Sequence, residues 1–148
     1  MIGITGASGT IYALSLLEAL AKNTKIETHL VMSKWAKENL AIEATGYSLT
    51  DVRNLADVVY DERDMGAKIA SGSFHHDGMV IVPASMKSVA SIVTGMGDTL
   101  IGRAADVTLK EKRQLIIVPR ESPFNQIHLE NMLKLAQMGV EIIPPIPA

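Results

Sequence analysis

Four short segments of this sequence could do chemistry, and in each, small hydroxyl residues, glycines or charged side chains follow directly on an apolar run. The first is Thr5-Gly6-Ala7-Ser8-Gly9-Thr10. Two glycines permit a tight turn, and the free N–H groups of a helix starting there draw an anion such as phosphate. The spacing is neither G-x-G-x-x-G nor G-x-x-x-x-G-K-[ST], which removes support from dinucleotide and P-loop readings. The plainer alternative is a simple strand-to-helix turn in which Ser8 or Thr10 caps the helix. The second segment is Ser33-Lys34, with Glu43 ten residues on. Ser33 suits a helix N-cap. Glu43 falls near that helix's other end, where a carboxylate opposes the dipole and would ordinarily be a solvated surface group.

The third segment is Pro83-Ala84-Ser85-Met86-Lys87-Ser88. Small hydroxyls and a flexible lysine at a helix start suit a phosphate or a polar ring edge, or simply a serine cap. The fourth joins Arg103, Asp106 and Lys110 to Pro119-Arg120-Glu121. Spacings of three, four and seven put the first three on one helical face, as a solvated ion-pair ladder or a phosphate grip. Arg120 ends an apolar strand. From there it can hold a phosphate bidentately, with Glu121 orienting it or acting as acid or base. His75-His76-Asp77 reads as a polar loop rather than a metal site, since adjacent side chains diverge and no third cluster accompanies them. Trp35 and the methionines read as core or interface, and Ser8 does not complete a G-x-S-x-G esterase turn.

The elements that must position these segments alternate along the whole chain. Ile2–Thr5, Ile26–Met32, Met79–Pro83, Leu115–Pro119 and Val140–Ile143 are short runs rich in Val and Ile, and Val58–Tyr60 is a weaker edge candidate. Such runs are typical of strands buried on both faces. Helical periodicity predicts helices over Thr10–Lys22, Lys34–Ala44, Met86–Thr94 and Leu100–Lys112. A last helix is expected from Ser122 and Pro123 to a stop at Gly139. Strand-helix alternation implies right-handed crossovers and a doubly wound, mainly parallel α/β sheet with helices on both faces. Ligands of such sheets bind beyond the strands' carboxyl ends, where the four segments fall.

Composition narrows the function classes. The chain has 148 residues, 47% of them hydrophobic and 20% charged, with a formal charge of −2, which is a single folded domain's profile. That charge gives no electrostatic footprint for nucleic acid. The absence of cysteine excludes disulfides, thiolate zinc sites and a cysteine nucleophile. The apolar stretch Ile2–Ala21 is broken by Gly3, Gly6, Gly9 and Glu18, so it reads as neither a membrane span nor a signal peptide, and a cytoplasmic protein is expected. A mean hydropathy of +0.20 is high for a small monomer and points to a subunit interface.

Taken together, the segments GITGASGTIYALSLLEAL, HLVMSKWAK, DERDMGAKIASGSF, DGMVIVPASMKS, GRAADVTLKEKRQLIIVPRESP, IHLENMLKLAQMG and IIPPIPA resemble the UbiX-type flavin prenyltransferases, also known as phenylacrylic or hydroxyarylic acid decarboxylase subunits. They cover nearly the whole chain in the family's order. The resemblance implies a Rossmann-like flavoprotein domain over residues 1–148, homo-oligomeric and dodecameric in the family. It further implies that a dimethylallyl group passes from dimethylallyl phosphate to reduced FMN, making prenylated FMN for a partner aromatic acid decarboxylase. By position, Gly6, Ala7, Ser8, Ser33, Ser85, Met86, Lys87, Ser88 and Arg120 would contact FMN. Ser8 and Glu43 would move protons, and Arg103, Lys110 and Glu121 would surround the prenyl phosphate. No metal is implied. Two residues depart from the family pattern, Ala84 for a cysteine and Ser88 for a threonine. The resemblance also implies a C-terminal tail and a few N-terminal residues beyond these 148, the tail carrying a tyrosine and a basic residue to the prenyl phosphate. A non-catalytic flavin-binding subunit of a decarboxylase complex is the alternative reading. A peptidyl-cysteine decarboxylase fits the PASMKS and GRAADVTLKE segments less well.

Overall fold

The computed structural model describes residues 1–43 and 45–146. The expected helix end at Ala44, and Pro147 and Ala148 of the last matching segment, lie outside the described residues. Six strands form one sheet in which every pairing is parallel: β1 (Ile2–Ile4), β2 (His29–Met32), β3 (Val58–Tyr60), β4 (Gly78–Ala84), β5 (Gln114–Pro119) and β6 (Glu141–Ile142). Their order across the sheet is β3-β2-β1-β4-β5-β6. The chain winds outward from β1 to β3, then returns to β1's other side as β4. The β1/β4 boundary is therefore the switch point, where a crevice opens beyond the strand ends.

Alternation along the strands feeds two cores. Ile2 and Ile4 of β1, with Leu30, Met32 and Val82, pack under α1 (Thr10–Ala21), α2 (Lys34–Ile42) and α3 (Leu49–Asn54). Met79, Ile81, Leu115 and Ile117 pack on the opposite face under α4 (Met86–Thr94), α5 (Leu100–Lys110) and α6 (Gln126–Gln137). Because strand side chains alternate between faces, both faces are buried and the runs are apolar throughout.

Three local features differ from the sequence-based expectation. The last helix starts at Gln126 rather than after Ser122. Asn125 accepts from the His128 N–H at 2.9 Å while His128 Nδ1 accepts from the Asn125 N–H at 3.3 Å. That reciprocal box closes two orphan donors at once, which a lone serine cap cannot do. Helix α3 is additional, nucleated by the matching box between Ser48 and Asp51. Strand β2 begins at His29 rather than Ile26, whose N–H instead closes a turn onto Asn23 O at 3.1 Å.

Candidate functional site

Thr5 joins the two strands at the switch point. Its hydroxyl donates to Pro83 O at 2.7 Å and accepts from the Ser85 N–H at 2.8 Å, fixing the first and third segments side by side. Beyond them lies a cavity of about 460 Å³ whose wall includes Gly6, Ser33, Ser85, Lys87 and Ser88. Five of the expected cofactor residues, from three different strand ends, are thus brought to one space.

Three helices start on this cavity, each closed by a hydroxyl. Ser33 Oγ accepts from the Ala36 N–H, Ser85 Oγ from the Ser88 N–H, and Thr99 Oγ from the Gly102 N–H. The α2 start also carries a carboxylate, with Glu62 Oε2 2.9 Å from the Lys34 nitrogen. The α5 start carries a carbonyl, with Glu62 O accepting from the Leu100 N–H at 2.9 Å. Helix α4 differs. The amides of Met86 and Lys87 in its first turn have no hydrogen-bond partner among the described residues. Two free N–H groups, the positive helix end, the Ser85–Ser88 hydroxyl pair and Lys87 together suit one anionic group.

The start of α1, expected to be an anion cradle, is already filled from within. Glu43 Oε1 accepts from the Gly9 N–H at 2.9 Å and Oε2 from the Thr10 N–H at 2.8 Å. Neither Ser8 nor Thr10 caps this helix. The N-cap is Gly9 at φ 99°, a conformation that glycine adopts without strain. Asn39 donates to Gly6 O at 3.0 Å and Ala7 O at 3.2 Å, holding the loop's other half. Ala7 is buried behind the loop and Ser8 is exposed on it.

Arg120 follows β5, its N–H bonded to Ala84 O at 3.1 Å. It lines the Gly9 side of the edge rather than the cavity itself: a Cβ on Gly9 would stand 3.8 Å from Arg120 Cγ. Glu121 is exposed beside it, accepting from the Ser122 N–H. Met86 turns toward the core. Arg103 donates from Nε to Ala70 O and pairs with Asp106 at 2.9 Å, whereas Lys110 pairs with Glu111 at 2.8 Å instead of completing a ladder to Asp106. Lys110 closes α5 next to Gly72, at the sheet's amino edge. Glu121 lies past the far end of the six-residue β5, roughly 20 Å away at about 3.3 Å per residue.

Three residues contribute to the site beyond those expected there. Trp35, expected in a core or interface, is 62% exposed and forms part of the cavity wall. It sits there because α2's first turn crosses Gly6 so closely that a Cβ on Gly6 would come 2.5 Å from Trp35 Cβ. Thr99 was legible as a polar residue before an apolar helical stripe. Glu62, which serves two helix starts at once, had no local signal because its partners are 28 and 38 positions distant.

The Flavoprotein family model matches residues 1–148. Flavin prenyltransferase LpdB of Lactiplantibacillus plantarum is 64% identical over all of this chain and 79% of its own length. A probable UbiX-like flavin prenyltransferase of Escherichia coli O157:H7 is 53% identical over all of this chain and 75% of its own. Among solved structures, a dodecameric FMN-dependent UbiX-like decarboxylase from Escherichia coli O157:H7 superposes with a TM-score of 0.97 at 53% identity, over 99% of this chain and 80% of that one. AnUbiX in complex with FMN and dimethylallyl pyrophosphate gives 0.96 at 48% identity, over 99% and 77%.

Proposed function

Because the chain belongs to the UbiX-type flavin prenyltransferases of the Flavoprotein family, we propose that it joins the dimethylallyl group of dimethylallyl phosphate to reduced FMN. The observation that carries this reading onto the chain's own residues is the α4 start, the cavity's helix end with two uncommitted amides. The cavity volume falls within the range of small-molecule sites, about 300–1,000 Å³. Hydroxyls at Ser33, Ser85 and Ser88 give polar handles, Trp35 gives an aromatic wall, and Lys87 with the α4 amides suits the phosphate of FMN. Reduced FMN supplies the electron-rich ring to which the prenyl group is joined.

The remaining chemistry falls to this chain's side chains. Arg103 and Lys110 hold the prenyl phosphate and stabilise the charge it gains as the carbon–oxygen bond breaks. Ser8, exposed at the loop crest, passes a proton, and Glu121 beside Arg120 takes part in the same transfer. Glu43 acts on this relay through the loop it clamps. Trp35 and the apolar wall keep water from quenching cationic character on the prenyl carbon.

Lys110 and Glu121 stand at opposite edges of one sheet, so they meet around one phosphate only if different copies of the chain supply them. Exposed apolar side chains such as Ile42 (75%), Ile127 (64%) and Leu133 (59%) support such an assembly, as does the dodecameric UbiX-like neighbour. The product serves a partner aromatic acid decarboxylase in the cytoplasm. Among the described residues no helix is long and apolar enough to cross a membrane.

Fluorescence titration with FMN tests the binding half of this reading. Lys87→Ala should weaken affinity by about 1.5–3 kcal/mol, the scale of a charge-assisted hydrogen bond. Equal affinity in the two proteins removes Lys87 and the α4 start from the phosphate site.

A further inference from the structure

Four backbone groups flank Ser8, and all four are held from one face of α2. On the carboxyl side, the N–H groups of Gly9 and Thr10 end on Glu43. On the amino side, the carbonyls of Gly6 and Ala7 end on Asn39 Nδ2. Asn39 and Glu43 are four residues apart and so lie one above the other, with Trp35 a further turn back against Gly6. The Ser8 side chain makes no hydrogen bond among the described residues, so its loop draws its placement from α2. An amide NH2 has two donors, and both are used here on carbonyl oxygens, which also fixes which way the Asn39 amide faces.

We propose that Asn39 is a positioning residue for Ser8, fixing through the Gly6 and Ala7 carbonyls where the serine hydroxyl stands on the loop beside the cavity. The other end of α2, at Ser33, Lys34 and Trp35, forms the cavity wall. One rigid helix therefore sets both the wall and the serine, and their separation does not depend on a mobile loop. The inference rests on the proton-transfer role given to Ser8 above. Misplacing a reacting group by about 1 Å can cost 10²-fold in rate, so a residue that touches neither substrate nor flavin still governs the step.

The test is a double-mutant cycle on the full natural chain, with single-turnover formation of prenylated FMN at matched flavin occupancy. Asn39→Ala and the near-isosteric Asn39→Asp, which turns a carboxylate onto two carbonyl oxygens, should each lower the rate by about 10–100-fold. Matched flavin occupancy separates this loss from a change in FMN affinity transmitted through Gly6, which Asn39 holds and which lines the cavity. In the flavin-free protein, exchange of the Gly9 and Thr10 amides should quicken by about tenfold in Asn39→Ala as the loop loses its amino-side anchor. The combined Ser8→Ala/Asn39→Ala protein should be no slower than Ser8→Ala alone, since Asn39 acts only through the serine. An impaired Ser8→Ala beside a fully active Asn39→Ala overturns the proposal, and so do losses that multiply in the double variant. A Ser8→Ala protein with the wild-type rate instead overturns the role of Ser8, and the positioning role falls with it.

Discussion

Glu43 Oε2 stands 2.8 Å from the backbone nitrogen of Thr10, so the carboxylate at the end of α2 closes the amide end of α1. On its own helix this charge sits at the unfavourable pole. Across the packed pair it sits at the favourable one, where an anion stabilises the neighbouring helix's exposed amides. The Gly6–Thr10 loop is thus built around an internal anion, and an external phosphate is left to the α4 start.

Glu43→Gln should therefore cost stability, unlike the replacement of a solvated surface carboxylate. Glutamine keeps one acceptor and turns an NH2 toward the second amide. The expected loss is about 1–3 kcal/mol, the scale for a hydrogen bond to a charged group. Urea unfolding checks this, and coincident midpoints would return Glu43 to the surface. FMN affinity should hold while turnover falls by about 10²-fold, because Ser8 is misplaced when the loop that carries it loosens.

Much of this arrangement is legible in the chain because it is local. Val- and Ile-rich runs outline five strands, since strands buried on both faces must be apolar throughout, and the weaker run Val58–Tyr60 is the edge strand β3. The same strand ends pointed to Gly6, Ser33, Ser85, Lys87 and Ser88 as neighbours. Pairings between distant segments were not legible. Glu43 on Gly9, Asn39 on Gly6 and Glu62 on Lys34 each depend on segments meeting across some thirty residues of chain, and no spacing rule reports that. The Lys110–Glu121 separation was hidden too, because placing both on one phosphate assumed nothing about which copy supplies each.

Trp35 is the chain's single tryptophan and part of the cavity wall, which makes it an internal reporter. FMN should quench its emission saturably, and Gly6→Ala should disturb that response. A methyl at Gly6 meets Trp35 Cβ at 2.5 Å, and such overpacking typically costs about 1–3 kcal/mol. Identical titration curves and melting temperatures for the two proteins would contradict this close approach.

Acid should weaken the fold in a defined window. Arg63 holds the Asp61 carboxyl down to about 2, while hydrogen bonds from Ser48 and Thr28 lower those of Asp51 and Asp57. Each is lowered in the folded state from an ordinary value of 3.8, so each contributes stability above that pH. The contribution fades as pH falls toward the folded values, with Asp61 the last to protonate, near pH 2. Unfolding free energies measured between pH 5 and 2 should decline, and less steeply in Ser48→Ala, which has already lost the Asp51 box. Parallel slopes for the two proteins would count against it.

Sites shared between copies make inactive variants complement one another. Lys110→Ala and Glu121→Ala should each be impaired alone, yet mixed and reassembled in equal amounts they should regain about a quarter of wild-type sites, as random assortment in a symmetric oligomer requires. No recovery after verified subunit exchange would place both residues on one copy's site or outside the chemistry.

Transfer of a prenyl group from dimethylallyl phosphate to flavin is read directly in a mass spectrum of the flavin. The full natural protein is incubated anaerobically with reduced FMN and dimethylallyl phosphate, and the flavin is then released. FMN should gain the mass of one dimethylallyl unit in place of a hydrogen, in an amount that grows with enzyme and time. Flavin bound in full but recovered at the mass of FMN would contradict it.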